Sequence, residues 1–181
     1  MFRILETYAK ADLRNIELNA APTVTSFEYI DDLPPIKFKQ YNFNFIAHHL
    51  FPPLKEPFTS NLASQNPVIL KRSKDQVKKS IEFCHSLGIE LLTFHGGFRF
   101  DPDDKRQFCE DEVATPEDQA ITPYERAFNT LIESVDEINS YAQQMGVKVA
   151  IENRPLDRRR RFPMPCEAEE LKRICKRIRH N

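Results

Sequence analysis

Residues 89–97 read Ile89-Glu90-Leu91-Leu92-Thr93-Phe94-His95-Gly96-Gly97, and this stretch decides the fold. From Ile89 to Phe94 it is a short apolar run of strand length that stops at a histidine and two glycines. Upstream, Asn66-Pro67 supplies an N-cap residue and a first-turn proline, Val77, Ile81 and Cys84 keep helical spacing, and Gly88 stands where a C′ glycine belongs. That spacing predicts a helix over 67–87. Downstream, a long loop leads to Thr122-Pro123-Tyr124-Glu125, which has the form of a capping box. Phe128, Leu131, Val135, Ile138, Ala142 and Met145 then recur every three or four residues up to Gly146, one face of a helix. Val147 to Ile151 is another apolar strand, ending in Glu152-Asn153. A helix between two such strands returns the chain to the same edge of the sheet, so the pairing is expected to be parallel.

Further out the alternation continues. Residues 2–11 have helical spacing, and Asn15-Ile16-Glu17-Leu18-Asn19 reads as a short strand. Residues 20–41 hold Pro22, Pro34 and Pro35 and read as connection, with a helical turn at 26–32. Phe43 to His48 is an aromatic and β-branched run that stops near Pro52-Pro53, and 167–179 form a basic amphipathic helix. The expected fold class is α/β, with four parallel strands alternating with four helices.

In parallel α/β folds, catalytic groups gather where strands emerge at their C-terminal ends. Here those ends carry Glu17, His48 or His49, His95 and Glu152. Imidazoles and a carboxylate converging on one rim suit a divalent transition-metal ion, with neutral nitrogen and anionic oxygen donors on rigid supports. A single histidine at a strand end is more often a hydrogen-bonded structural residue; repetition at successive strands favours the site. Gly96 and Gly97 remove side chains behind His95 where a ligand would approach the backbone. His48 and His49 are adjacent and point to opposite faces, so only one faces the rim, and His48 is favoured. Glu152 follows apolar strand residues and needs either a metal or a hydrogen-bonded partner, with a salt bridge to Arg154 as the structural alternative.

Composition narrows the classes further. A chain of 181 residues suits one domain, and 40% hydrophobic with 29% charged residues supports a sizeable core. Lys and Arg number 26 against 27 Asp and Glu, so no overall positive field gathers a polyanion, and no nucleic-acid partner is expected. Arg158-Arg159-Arg160-Arg161 reads either as a phosphate clamp or nucleic-acid patch or as a solvated loop. Lys71, Arg72, Lys74, Lys78 and Lys79 read as the wet face of the 67–87 helix. Only 4 glycines are present, and their positions leave none for a dinucleotide fingerprint or a P-loop. Cys84, Cys109, Cys166 and Cys175 are too irregularly spaced for a zinc knuckle or redox motif, which points to a reducing, cytoplasmic compartment. Cys84 and His85 diverge by about 100° around their helix and make no catalytic pair. Charge close to the N-terminus and the lack of any long apolar stretch predict neither export signal nor membrane span.

The chain resembles the xylose isomerase-like TIM barrels, the superfamily shared by sugar (phosphate) isomerases/epimerases and the endonuclease IV type of abasic-site nuclease. Ala47-His48-His49-Leu50-Phe51-Pro52-Pro53, followed by Asn61-Leu62-Ala63-Ser64, looks like that family's histidine-ended strand and the loop after it. Thr93-Phe94-His95-Gly96-Gly97-Phe98 resembles its H-x-G-F strand, Ala150-Ile151-Glu152-Asn153 its glutamate strand, and Asn15-Ile16-Glu17-Leu18 its earlier I-E-L strand. The resemblance implies a metal-dependent sugar or sugar phosphate isomerase or epimerase, with Glu152 both metal ligand and acid/base. It makes His95 and His48 further metal ligands, and His48, His49 and Asn153 substrate contacts. The implied cofactor is a divalent ion (Mn, Co, Zn or Mg), and the implied partner a small sugar or sugar phosphate. The alternatives are an abasic-site nuclease relative or a non-catalytic partial barrel. A complete barrel takes about 250 residues. Residues 1–181 are therefore expected to be a single, partial (β/α)8 barrel lacking the first strand and the last three, inactive alone and prone to self-association through open sheet edges.

Overall fold

The computed structural model describes residues 2–19, 42–54, 58–101, 121–154 and 163–178. Helix α1 (Phe2–Lys10) precedes strand β1 (Asn15–Leu18), and β2 (Asn44–His48) follows. Helix α2 (Pro67–Leu87) starts where the sequence places its cap. The Asn66 side chain accepts from the Val68 amide, Pro67 occupies the first turn, and Gly88 closes the helix at φ 73°. The chain turns there into β3 (Leu91–His95), whose apolar side chains Leu92 and Phe94 are fully buried. Helix α3 (Tyr124–Gln144) and strand β5 (Lys148–Glu152) repeat the unit, and α4 (Ala168–Arg177) is the last helix described. The strands pair in the order β1-β2-β3-β5, parallel throughout. The α/β class and its parallel sheet are as expected.

Register partners in a parallel sheet share a face, and alternate residues of each strand change face. His48 pairs with Thr93, Thr93 with Ala150, and His95 with Glu152, so these five residues lie on one face. Leu92 pairs with Ala47 and Val149, and Ile16 with Phe45, on the other. That second face holds the helix-side core, which Val77, Ile81, Leu131 and Ile138 fill from α2 and α3. The bulky strand residues Phe45, Phe94 and Val149 therefore face the helices. The helices bring large apolar stripes that need large apolar partners, so the smaller Thr93 and Ala150 are left for the other face.

Three local expectations are corrected. Thr122 does not cap α3: the helix starts after Pro123 without a side-chain cap, and the Thr122 main chain is bound to Arg99 in both directions, N–H to carbonyl at 2.7 Å and carbonyl to Nε at 3.1 Å. The capping box belongs to α4, where Glu167 and Glu170 exchange bonds with each other's main chain. Glu170 also accepts from the Tyr124 hydroxyl at 2.8 Å, which ties the starts of α3 and α4 together. The basic face of α2 is only partly wet, because Lys74 and Lys78 both reach Glu137 of α3 at 2.6 Å and hold its carboxyl below the usual range. A two-residue antiparallel ladder between β4 (Gly97–Phe98) and β6 (Pro163–Met164) had no clear signal in the sequence. The turn expected at 26–32, Cys109 and the Arg158–Arg161 run lie outside the described residues. Among the described residues no helix is long and apolar enough to cross a membrane.

Candidate metal centre

His48, His95 and Glu152 are the last residues of β2, β3 and β5, three adjacent strands. Neighbouring strands lie about 4.8 Å apart, so the register partners His95 and Glu152, with His48 opposite Thr93 on the same face, can meet. They do: one donor atom from each of the three falls within 4.8 Å of the others. Glu152 Oε2 lies 3.6 Å from His95 Nδ1 and 4.0 Å from His48 Nε2, and the two imidazoles meet edge to face with centroids 4.8 Å apart. His48 is 3% exposed, while the Glu152 side chain keeps 38% of its surface open.

Burial sets the charge state. Desolvation pushes the His95 pKa down to about 4, helped by His48 and Arg154 and opposed by Glu152. Burial also lowers His48, against the pull of Glu152 and Glu17. Both rings are therefore neutral at pH 7 and can offer a lone pair. His95 Nδ1 is buried without any hydrogen-bond partner. A buried acceptor left idle beside a carboxylate is the feature a cation would satisfy. With His48 Nδ1 accepting from the Leu50 N–H at 3.4 Å, the neutral ring carries its proton on Nε2, and moving it to Nδ1 to free the Nε2 lone pair gives up that long contact. Two imidazole nitrogens and one carboxylate oxygen fit a divalent transition ion such as zinc, cobalt or manganese better than magnesium.

The other sequence candidates lie around this cluster. His49 is 2% exposed and packed behind both rings, at 4.5 Å from His48 and 5.4 Å from His95. Asn153 is exposed immediately beyond β5. Glu17 shares the face of the cluster through its register with Ile46, and its charge reaches His48. Arg154, considered in the sequence only as a partner for Glu152, is near enough to lower all three histidines.

The glycines after His95 serve a different contact from the one expected. A Cβ on Gly96 would collide with the Met164 carbonyl, and one on Gly97 with Asn61 Oδ1 and the Leu62 and Ala63 amides. The close approach is by the protein's own chain. Asn61, fully buried, uses its whole side chain here: Oδ1 accepts from the Phe98 and Ala63 amides, and Nδ2 donates to the Phe100 carbonyl and to Asp101. Its place in Asn-Leu-Ala-Ser marks it in the sequence, but three of these four partners lie 37 to 40 residues away.

A parallel α/β sheet with ionisable side chains collected at its strand ends is an arrangement that TIM barrels share. The family model described as xylose isomerase-like TIM barrel matches residues 28–181, and the chain belongs to that family. Among solved structures, D-psicose 3-epimerase from Clostridium cellulolyticum H10 is similar at a TM-score of 0.63 and 17% identity, over 99% of this chain and 55% of that one. An AP endonuclease, family 2, from Brucella melitensis is similar at 0.64 and 14%, over 99% and 59%. An uncharacterised protein of Methanocaldococcus jannaschii, MJ1614, is 29% identical over 98 residues, 52% of this chain and 30% of that protein. The chain thus spans about half the length of these solved relatives and under a third of the curated one. At the identities of the solved pair, the likeness is one of fold.

Proposed function

We propose that this chain is the metal-holding part of a sugar or sugar phosphate isomerase or epimerase, in which Glu152 moves a proton at the carbon beside a carbonyl. The observation that carries the reading is the convergence of His48, His95 and Glu152 at three neighbouring strand ends. The epimerases among the structural neighbours, D-psicose 3-epimerase and a D-tagatose 3-epimerase-like protein, support a small sugar as substrate.

Glu152 is a half-open carboxylate whose Oε2 touches both imidazoles, and it is the base that takes the C–H proton. His48 and His95, neutral through burial, leave that carboxylate its negative charge. Asn153, exposed beside Glu152, supplies an amide to the same substrate. Glu152, His95 and His48 would hold a divalent ion, one of Mn, Co, Zn or Mg, which would supply positive charge that lowers the cost of removing a proton beside a carbonyl. Residues 1–181 act as one domain whose sheet is completed by further strands, and activity belongs to that completed barrel. The free thiols of Cys84, Cys166 and Cys175 support a reducing, cytoplasmic setting.

The test is solvent exchange. In the completed protein with ketose or ketose phosphate substrates, Glu152→Gln is expected to abolish deuterium exchange at the carbon beside the carbonyl, because an amide cannot accept that proton. Full exchange in the variant would remove Glu152 from the role. A second reading, an abasic-site nuclease, is favoured by the pairing of two histidines with the glutamate and by the Brucella melitensis neighbour. The formal net charge of -1 speaks against it, since phosphate binding draws on positive charge. Metal-dependent nicking of an abasic duplex by the completed protein would reverse the ranking.

A further inference from the structure

We propose that His49 is the positioning residue of this centre: it holds His95 and His48 from behind and binds no ligand itself. The inference rests on the metal-centre reading above.

His49 lies one residue past the end of β2, and both its main chain and its ring are tied to neighbouring elements. Its N–H donates to the Thr93 carbonyl at 2.9 Å, which carries the β2–β3 pairing one step beyond the last strand residue. Its carbonyl accepts from Ser80 Oγ at 3.1 Å and Gln76 Nε2 at 3.3 Å, two buried polar side chains of α2. These anchors fix the backbone at the level where His48 leaves the strand. Ser80 and Gln76 interrupt the apolar face of α2, and capturing this carbonyl gives them a reason to be there.

The ring faces the other way. Nδ1 is turned to the backbone N–H of His95 at 3.4 Å, a long contact, and that N–H sits at the end of β3. With Nδ1 as acceptor, the neutral ring carries its proton on Nε2. Among the described residues its aromatic contacts are the rings of His48 and His95. The three imidazoles thus form one cluster of tilted and edge-on rings, of which His48 and His95 reach toward Glu152. Its Nδ1 is turned to the His95 N–H, and the donor group of His48, His95 and Glu152 does not include it. What it controls is the direction in which its neighbours point, and residues that orient metal ligands typically change metal affinity 10- to 100-fold when replaced.

The experiment uses the full natural chain with His49→Leu and His49→Asn. Asparagine carries Oδ1 where histidine carries Nδ1, so it keeps an acceptor for the His95 N–H; leucine fills the space without one. Two readouts are taken: Co2+ titration followed by its visible absorption, and the NMR shift and hydrogen exchange of the His95 amide. His49→Leu is expected to weaken Co2+ binding about tenfold or more, alter the absorption band and speed exchange at the His95 amide, while His49→Asn stays within about threefold of the natural chain. A folded His49→Leu with unchanged Co2+ affinity, spectrum and amide protection would overturn the role. If His49→Leu fails to fold, His49→Asn decides: a natural spectrum and amide support the proposal, and altered ones defeat it. If the natural chain binds no Co2+, the metal-centre reading falls, and the His95 amide still decides whether His49 positions it.

Discussion

Gly97 has no room for a methyl group. Its missing Cβ is where Asn61 Oδ1 and two backbone amides converge, and none of these is the loose end of a flexible side chain. Gly97→Ala should therefore lose about 1–3 kcal/mol, the usual cost of overpacking, read as a lowered denaturation midpoint. An unchanged midpoint would mean that the loop at 61–63 gives way freely. The histidines predict a pH dependence with a definite sign. Folded His95 has a pKa near 4 against an ordinary 6.5, so between these values the unfolded chain binds more protons than the folded one. Stability then rises with pH across that window, is complete above about 6.5, and is lost as pH falls through it. His48 and His49 shift the same way, mainly through burial. Urea midpoints should be lower at pH 5 than at pH 7.5, and His95→Gln should flatten the slope; equal midpoints in the natural chain would contradict the buried, neutral cluster. At this scale the sequence was legible where a residue type recurs at equivalent places, as with His48, His95 and Glu152. It was not legible where the deciding contact comes from afar: Gly96 answers to Met164, and His49 to Ser80 and Gln76.

At the scale of the element, helix ends were read well and sheet faces less well. Asn66, Pro67 and Gly88 bound α2 through local backbone chemistry that a sequence displays directly. The capping box at Thr122 failed because Arg99 already holds that main chain, a partner from across the long loop. Alternation alone does not say which face of β3 the helices cover. Leu92 and Phe94 are 0% exposed against α2 and α3, whereas Leu91, Thr93 and His95 stay half-open. Phe94→Ala should accordingly cost about 3–5 kcal/mol, the range for truncating a fully buried aromatic, and Leu91→Ala clearly less. Equal losses in chemical denaturation would mean that both faces of β3 are covered in solution.

For the whole molecule, the face that carries the cluster is, among the described residues, the one the helices leave uncovered. Among the described residues β1 and β5 each pair on one side only, and residues 149–152 of β5 remain half-buried. Edges of this kind recruit further strands, so the 181-residue chain by itself should associate with rising concentration in sedimentation and turn over no sugar with added manganese, cobalt or zinc. A monodisperse monomer with a sharp cooperative melt and measurable turnover would show that these residues suffice. The central claim, that strand ends bring His48, His95 and Glu152 together to hold a divalent ion, is tested most directly by anomalous diffraction. Crystals of the protein grown with Mn2+ or Co2+ should give an anomalous peak within coordination distance of His48, His95 and Glu152, and lose it in Glu152→Gln. No peak at that cluster under saturating metal, or a peak held by other residues alone, would contradict the account.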